Sequence, residues 1–268
     1  MTTRLTVTGA DWTTPHIRRI HFRSDDLSAF AGSDATDRYV KLVFLQPGVT
    51  YPEPLDVRAL RGILPPEHLP DVRTYTALFP DVAAGTLAID FVVHGDEGVA
   101  GPWAAHAQPG DTLLANGPGG AYRPDPDADW HLLVGDESAL PAIIAAAAAL
   151  DADAVARVIV LVEEPGDEAA MALPDGGRVQ WVYRAGGPAD GLLLDAVRSL
   201  EWPVGTPHVF VHGEAQEVMH RIRPYLFGER GLRRDRVSIS GYWRYGRTEE
   251  SFREWKHELA EAERAAAS

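Results

Sequence analysis

The hydrophobic rhythm of this chain changes once, at residues 123–129, where RPDPDAD puts two prolines and three acids into seven positions. Before that point the apolar residues come in short alternating or β-branched runs, at 5–8, 17–22, 38–45, 73–78, 86–94 and 111–116. Each run is read as a strand. Six strands separated by Gly, Pro and Asp turns, with no long helical stretch, predict a small antiparallel barrel, which leaves fewer open edges than a sandwich. After that point, fully apolar runs alternate with helical stretches. Strands are expected at 130–135, 157–163, 179–183 and 208–212, and helices at 138–150, 192–200 and 214–227. Runs such as HLLVG, VIVLV and HVFVHG suit parallel strands covered on both faces.

The expectation is therefore a two-domain β plus α/β chain: an antiparallel six-stranded barrel over 1–123, then a mostly parallel sheet over 130–268. In the second domain, ligands belong beyond the strand C-termini. A last helix is expected over 248–264, where Phe252, Trp255 and Leu259 fall at helical spacing. The long proline-rich connection from Gln46 to Val72 reads as either functional or mobile.

Composition narrows the chemistry. The 268 residues contain no cysteine, so thiolate metal sites, iron–sulfur clusters, disulfides and a cysteine nucleophile are excluded together. A net charge of -14 opposes general nucleic-acid binding. The ten histidines show no close ligand pairing, so no dedicated metal site is expected. The opening residues lack a basic block followed by an apolar one, and no apolar run approaches ~20 residues, so a soluble cytoplasmic protein is expected.

Three segments carry candidate chemistry. On an alternating strand, Arg73 and Tyr75 of RTYT share one face and Thr74 and Thr76 the other. An arginine can fork a phosphate and a tyrosine can stack on a flat ring, although cross-strand packing explains the same tetrapeptide. IDFVVHGDEGVAGPWA, residues 89–104, runs from a strand into a glycine-rich loop whose amides can meet a pyrophosphate, or it is a plain turn with Trp103 buried behind it. GDESALP, residues 135–141, ends a strand and opens a helix. Its Asp136 and Glu137 would repel a pyrophosphate, so they are expected to cap the helix or accept ribose hydroxyls.

RYVKLVF, RTYT, DFVVHGDEGVAGPWA, QPGD, GPGG, LLVGDESALPAI, HGEA and GYWR occur here in the order found in siderophore-interacting proteins, and the chain resembles that family over nearly its whole length. The resemblance implies a flavin-binding barrel followed by a nicotinamide-binding α/β domain, with FAD and NADH or NADPH as cofactors. By position, Arg73, Tyr75 and Thr76 would contact the flavin and its phosphate. Asp90, Phe91, Val93 and His94 would lie beside the ring and pyrophosphate, and Ala100, Trp103 and Ala104 would complete the cradle. Asp136, Glu137, Ser138, Ala139, Glu214 and Trp243 would serve the nicotinamide side, with the Trp243 aromatic either near the flavin or simply packed. One departure is that the family follows RTYT with a further residue and a second arginine, where this chain has Ala77 and Leu78. A cysteine common beside the nicotinamide in ferredoxin reductases is replaced here by Gly213-Glu214.

The resemblance further implies a ferric-siderophore reductase, in which the flavin takes hydride from a nicotinamide and passes single electrons to siderophore-bound iron. No side chain need act as acid, base or nucleophile. A basic patch for the anionic chelate would draw on Arg58, Arg61, Arg123, Arg244 and Arg247. Two rival readings are electron transfer to a ferredoxin- or flavodoxin-type protein, disfavoured by the shared negative charge, and a non-catalytic flavin or siderophore binder. Glu163 and Glu164 end a strand where an adenosine ribose could lie and lean the cofactor choice toward NADH.

Overall fold

The computed structural model describes residues 2–246 apart from His94, Glu97 and Pro188. The expected terminal helix, together with His94 and Arg247 of the expected site, lies outside the described residues. The chain forms two compact units. One ends at Arg123 and takes in Gly166–Ala170; the other runs Pro124–Pro165 and resumes at Met171.

The first unit is a seven-stranded antiparallel sheet: β1 (Thr2–Thr14), β2 (Ile17–Arg23), β3 (Tyr39–Phe44), β4 (Asp71–Thr76), β5 (Leu78–Asp81), β6 (Thr86–Val92) and β7 (Thr112–Gly119). Their order is β4-β3-β7-β1-β2-β6-β5. Six strands were expected; the added one is β5, whose four residues include Pro80, tolerable only because β5 is an edge. The sheet curls so that β4 and β6 meet through Tyr75 and Phe91, with ring centroids 4.5 Å apart. Its interior is filled by the inward residues of each strand, among them Leu5, Val7, Ile20, Phe22, Leu42, Ile89 and Phe91.

Within the 46–72 connection lies a short helix, α1 (Val57–Leu60), capped by the Asp56 carboxylate and anchored by buried Leu60. The Tyr51 hydroxyl accepts from Gln46 N at 3.0 Å and donates to His68 O at 2.9 Å, tying the two ends of the loop together. Helix α2 (Ala100–His106) follows β6 and seats Ala100, Ala104 and Trp103 against the barrel core.

The second unit is a parallel five-stranded sheet: β8 (Trp130–Asp136), β9 (Ala156–Val162), β10 (Arg178–Tyr183), β11 (Pro207–Glu214) and β12 (Val237–Trp243). Helix α3 (Leu140–Ala148) and helix α4 (Leu192–Ser199) connect them, and a π-wound turn, Gln216–Ile222, follows β11. The order β10-β9-β8-β11-β12 reverses direction between β8 and β11, which creates the crevice where such sheets take ligands. Gly135 sits at that point because α3 comes too close for a side chain: a Cβ there would stand 2.6 Å from the Ala139 Cβ. No described helix is long and apolar enough to cross a membrane.

Candidate functional site

In the first unit the candidate surface is built on β4 and on the loop joining β6 to α2. Tyr75 is half-buried, and its ring rests on Phe91, which touches Trp103 at 5.7 Å. Trp103 in turn stacks on Phe22 at 6.3 Å and meets Phe44 edge-on. The platform under Tyr75 is thus a continuous aromatic core, with Phe91, Ala100 and Ala104 enclosed within it as supports. On the same strand face Arg73 is partly exposed; one Nη reaches Asp71 at 3.1 Å and the other donates to Val72 O.

After half-buried Val93 the loop turns through Gly95 and Gly98, at φ +56° and +77°. A Cβ at either would meet nothing within 4 Å, so both glycines border open space. Gly101, by contrast, packs α2 onto the end of β6, where a Cβ would lie 3.3 Å from Val92 O. The partly exposed Arg73 guanidinium, a supported tyrosine ring and glycines bordering open space are of a chemistry that fits a flavin dinucleotide.

Other expected residues have prior engagements. Asp90 is 6% exposed, and both its oxygens are taken by the Arg19 guanidinium at 2.7 and 2.8 Å, a fork across the β2–β6 pair. Thr76 and Leu78 are buried, so the position that departs from the family pattern points into the packing. The GPGG block is also structural: Tyr39's ring lies over Gly119, and the buried Asp37 carboxylate accepts from Ala121 N and Tyr122 N. Burial pushes the Asp37 pKa up, partly offset by those two amides. Arg123 is paired with Asp34, while Arg58 and Arg61 are exposed at α1 and its cap.

In the second unit the candidate surface is the row of strand C-termini. Asp136, 1% exposed, accepts from Ser138 N at 2.9 Å and from its hydroxyl, from Glu214 N at 2.8 Å and from Trp243 Nε1 at 2.8 Å. One carboxylate thereby ties together the ends of β8, β11 and β12. Gly213 makes room for it, since a Cβ there would fall 2.8 Å from Asp136 Oδ2. Ala139 is buried at the start of α3, and Glu214 carries Glu217 N at 2.9 Å. Arg244 is half-buried just beyond β12.

Sequence reasoning missed Arg184. It follows β10 directly, and its Nη1 lies 2.8 Å from Glu137 Oε2 and 3.4 Å from Glu163 Oε2. Burial alone would lower the guanidinium pKa, but Glu137 and then Asp136 more than offset this and raise it. The available signal was positional: a cation one residue past one strand, beside a strand already seen to end in acids.

An antiparallel curled sheet followed by a reversing parallel sheet is the ferredoxin-reductase-like fold. Residues 6–122 match the siderophore-interacting FAD-binding domain and residues 128–246 the siderophore-interacting protein model. The chain belongs to the siderophore-interacting protein family. It is 32% identical over 253 residues to the ferric vibriobactin reductase ViuB of Vibrio cholerae, covering 92% of this chain and 91% of that one. It is 31% identical over 244 residues to the NADPH-dependent ferric-chelate reductase of Escherichia coli, covering 89% and 91%. The crystal structure of the siderophore-interacting protein SipS from Aeromonas hydrophila superimposes with a TM-score of 0.78 at 31% identity, covering 97% and 98%.

Proposed function

We propose that this chain is an FAD-dependent ferric-siderophore reductase that draws on NADH or NADPH and works in the cytoplasm. The observation that carries the reading is the Tyr75 platform, a half-buried ring on an aromatic core beside Arg73 and the open Gly95–Gly98 loop. Names of two relatives, a ferric vibriobactin reductase and a ferric-chelate reductase, support it. When bound, FAD converts a two-electron hydride donor into a source of single electrons for siderophore-bound Fe(III).

The protein's part is placement. Tyr75 offers a flat face to the isoalloxazine, Arg73 a fork to phosphate, and the loop amides a neutral cradle for the remaining charge. The crevice between β8 and β11 receives the nicotinamide, and the Asp136 hub keeps the strand ends at fixed separation. Arg58 and Arg61, both exposed and one helical turn apart, offer positive charge to an anionic chelate, while Arg123 is paired with Asp34.

The purified protein should show flavin absorption that bleaches on anaerobic addition of a reduced nicotinamide. Addition of a ferric siderophore with a ferrous trap should restore the bands as trapped Fe(II) accumulates. Absence of flavin, with none taken up on addition, would overturn the reading; bleaching without iron reduction would reassign the electrons to another acceptor.

A further inference from the structure

We infer that Arg184, held between Glu137 and Glu163, makes this chain select NADH and reject NADPH; the inference rests on the reductase reading above. In parallel sheets of this kind an acid beyond the second strand accepts ribose hydroxyls, whereas an arginine nearby accommodates a 2′-phosphate. Here both features are present, so the choice turns on what the arginine is already doing.

β9 and β10 run side by side, with Tyr183 opposite Val162, and the ladder continues past both: Arg184 N donates to Val162 O and Ala185 N to Glu163 O. The chain then turns back at Ala185 (φ +51°), so that Gly186 N donates to Glu163 Oε1 at 3.1 Å while Glu163 Oε2 faces Arg184. Glu163 is therefore fixed by a backbone amide as well as by the cation. Glu137, 4% exposed in its side chain, holds the same Nη1 at 2.8 Å from the β8 end.

Two carboxylates on one guanidinium leave the trio one negative charge in excess, and Asp136 adds to the negative field. A 2′-phosphate brings a further ~1.5–2 negative charges, by analogy with other phosphate monoesters, and the only cation of the trio is already satisfied. A 2′-hydroxyl, in contrast, finds an acceptor in Glu163, whose side chain is one-third exposed. The arginine that in another setting would recognise the phosphate is here spent on holding Glu163 and Glu137 in place. This chain therefore departs from the nicotinamide stated in the name of its Escherichia coli relative.

The test uses the FAD-loaded full chain, with stopped-flow reduction by NADH and NADPH and, separately, calorimetric binding of adenosine 5′-diphosphate and adenosine 2′,5′-bisphosphate. The wild type should favour NADH and the 5′-diphosphate by about tenfold or more, as expected for one unscreened like charge at a few ångströms. Glu163→Gln, which keeps an acceptor for Gly186 N, should raise bisphosphate affinity about tenfold relative to the 5′-diphosphate and weaken NADH through loss of the charged hydroxyl acceptor. Adding Arg184→Ala to Glu163→Gln should abolish that gain. Wild-type preference for NADPH or the bisphosphate, an unchanged ratio in Glu163→Gln, or a gain that survives loss of Arg184 would each overturn the inference. If Glu163→Gln fails to fold, the wild-type preference decides alone. If the nucleotides bind with the stated preference but neither nicotinamide reduces the flavin, the reductase reading fails and the charge argument stands.

Discussion

The two ends of the parallel sheet handle charge in opposite ways. At the strand C-termini, the carboxylates of Asp136, Glu137, Glu163 and Glu214 accept hydrogen bonds from backbone amides, a hydroxyl, an indole and the Arg184 guanidinium. At the strand N-termini, β8 and β11 begin side by side with His131 opposite His208, rings 6.3 Å apart, and burial holds both imidazoles toward the neutral form. His208 accepts from Asp125 N at 3.0 Å, and Asp125 pairs with Arg236. Carboxylates thus cluster where a polar ligand is expected, while at the opposite end the two buried imidazoles are held toward neutral and Asp125 is matched by Arg236. Changes at the first end should alter both stability and nucleotide binding, and changes at the second stability alone.

The largest expected effect is at Asp136. Asn in its place puts an N–H₂ against either the Glu214 and Trp243 donors or the Ser138 amide, and leaves buried N–H groups unsatisfied. Asp136→Asn should lose about 3–4 kcal/mol of stability in urea denaturation, with nucleotide affinity falling in parallel and Trp243 fluorescence shifting. A loss below about 1 kcal/mol would mean that the strand ends do not depend on this carboxylate.

Why some of this was legible in the sequence and some was not is a matter of range. β-branched runs such as VIVLV announce their strands because each residue's preference is local. β5 is silent because four residues containing Pro80 carry no alternation. RTYT and the glycine loop stood out as blocks. Asp90, however, lies opposite an Arg19 that is 71 positions away, and only strand pairing reveals that its charge is already matched. GPGG enters only as one block of the family pattern, and its structural part shows once Tyr39 and Asp37 are found packed on it. Arg184 escaped notice because a lone arginine after a strand acquires meaning only once β8, β9 and β10 bring their ends together.

At the other end of the sheet, the expected effect is on pH dependence. The His131 pKa is lowered to about 4, first by burial and then by the nearby His208 charge, and its Nδ1 has no hydrogen-bond partner among the described residues. The folded state thus binds fewer protons than the unfolded chain, in which the imidazole titrates near ~6.5. Its contribution is complete above that value and is lost as pH falls toward about 4. At most about 3 kcal/mol should disappear over that window in urea melts, and His131→Leu should flatten most of the slope while leaving nucleotide affinity unchanged. A steep slope surviving in His131→Leu would shift the effect to His208 or to carboxylates elsewhere. A changed nucleotide affinity would break the division between the two ends.

Gly135→Ala probes the charged end without touching a charge, and its expected effect is the smallest of the three. The added methyl would fall 2.6 Å from the Ala139 Cβ, 2.6 Å from His212 O and 3.1 Å from the Ile143 Cδ1. The Ile143 methyl can rotate away, but His212 is Gly135's own partner in the β8–β11 ladder, so its carbonyl moves only if the ladder does. Relief therefore needs both a shift of the β8–β11 ladder and a lifting of α3, and the latter would carry Ser138 away from the Asp136 carboxylate. The expected cost is about 2 kcal/mol in thermal or urea unfolding, in the range for overpacking a close helix–strand contact. Because the displaced residues border the crevice, nucleotide affinity should weaken together with stability. A destabilised variant that binds nucleotide as tightly as the wild type would detach the helix start from the ligand and leave the strand ends alone to form the site.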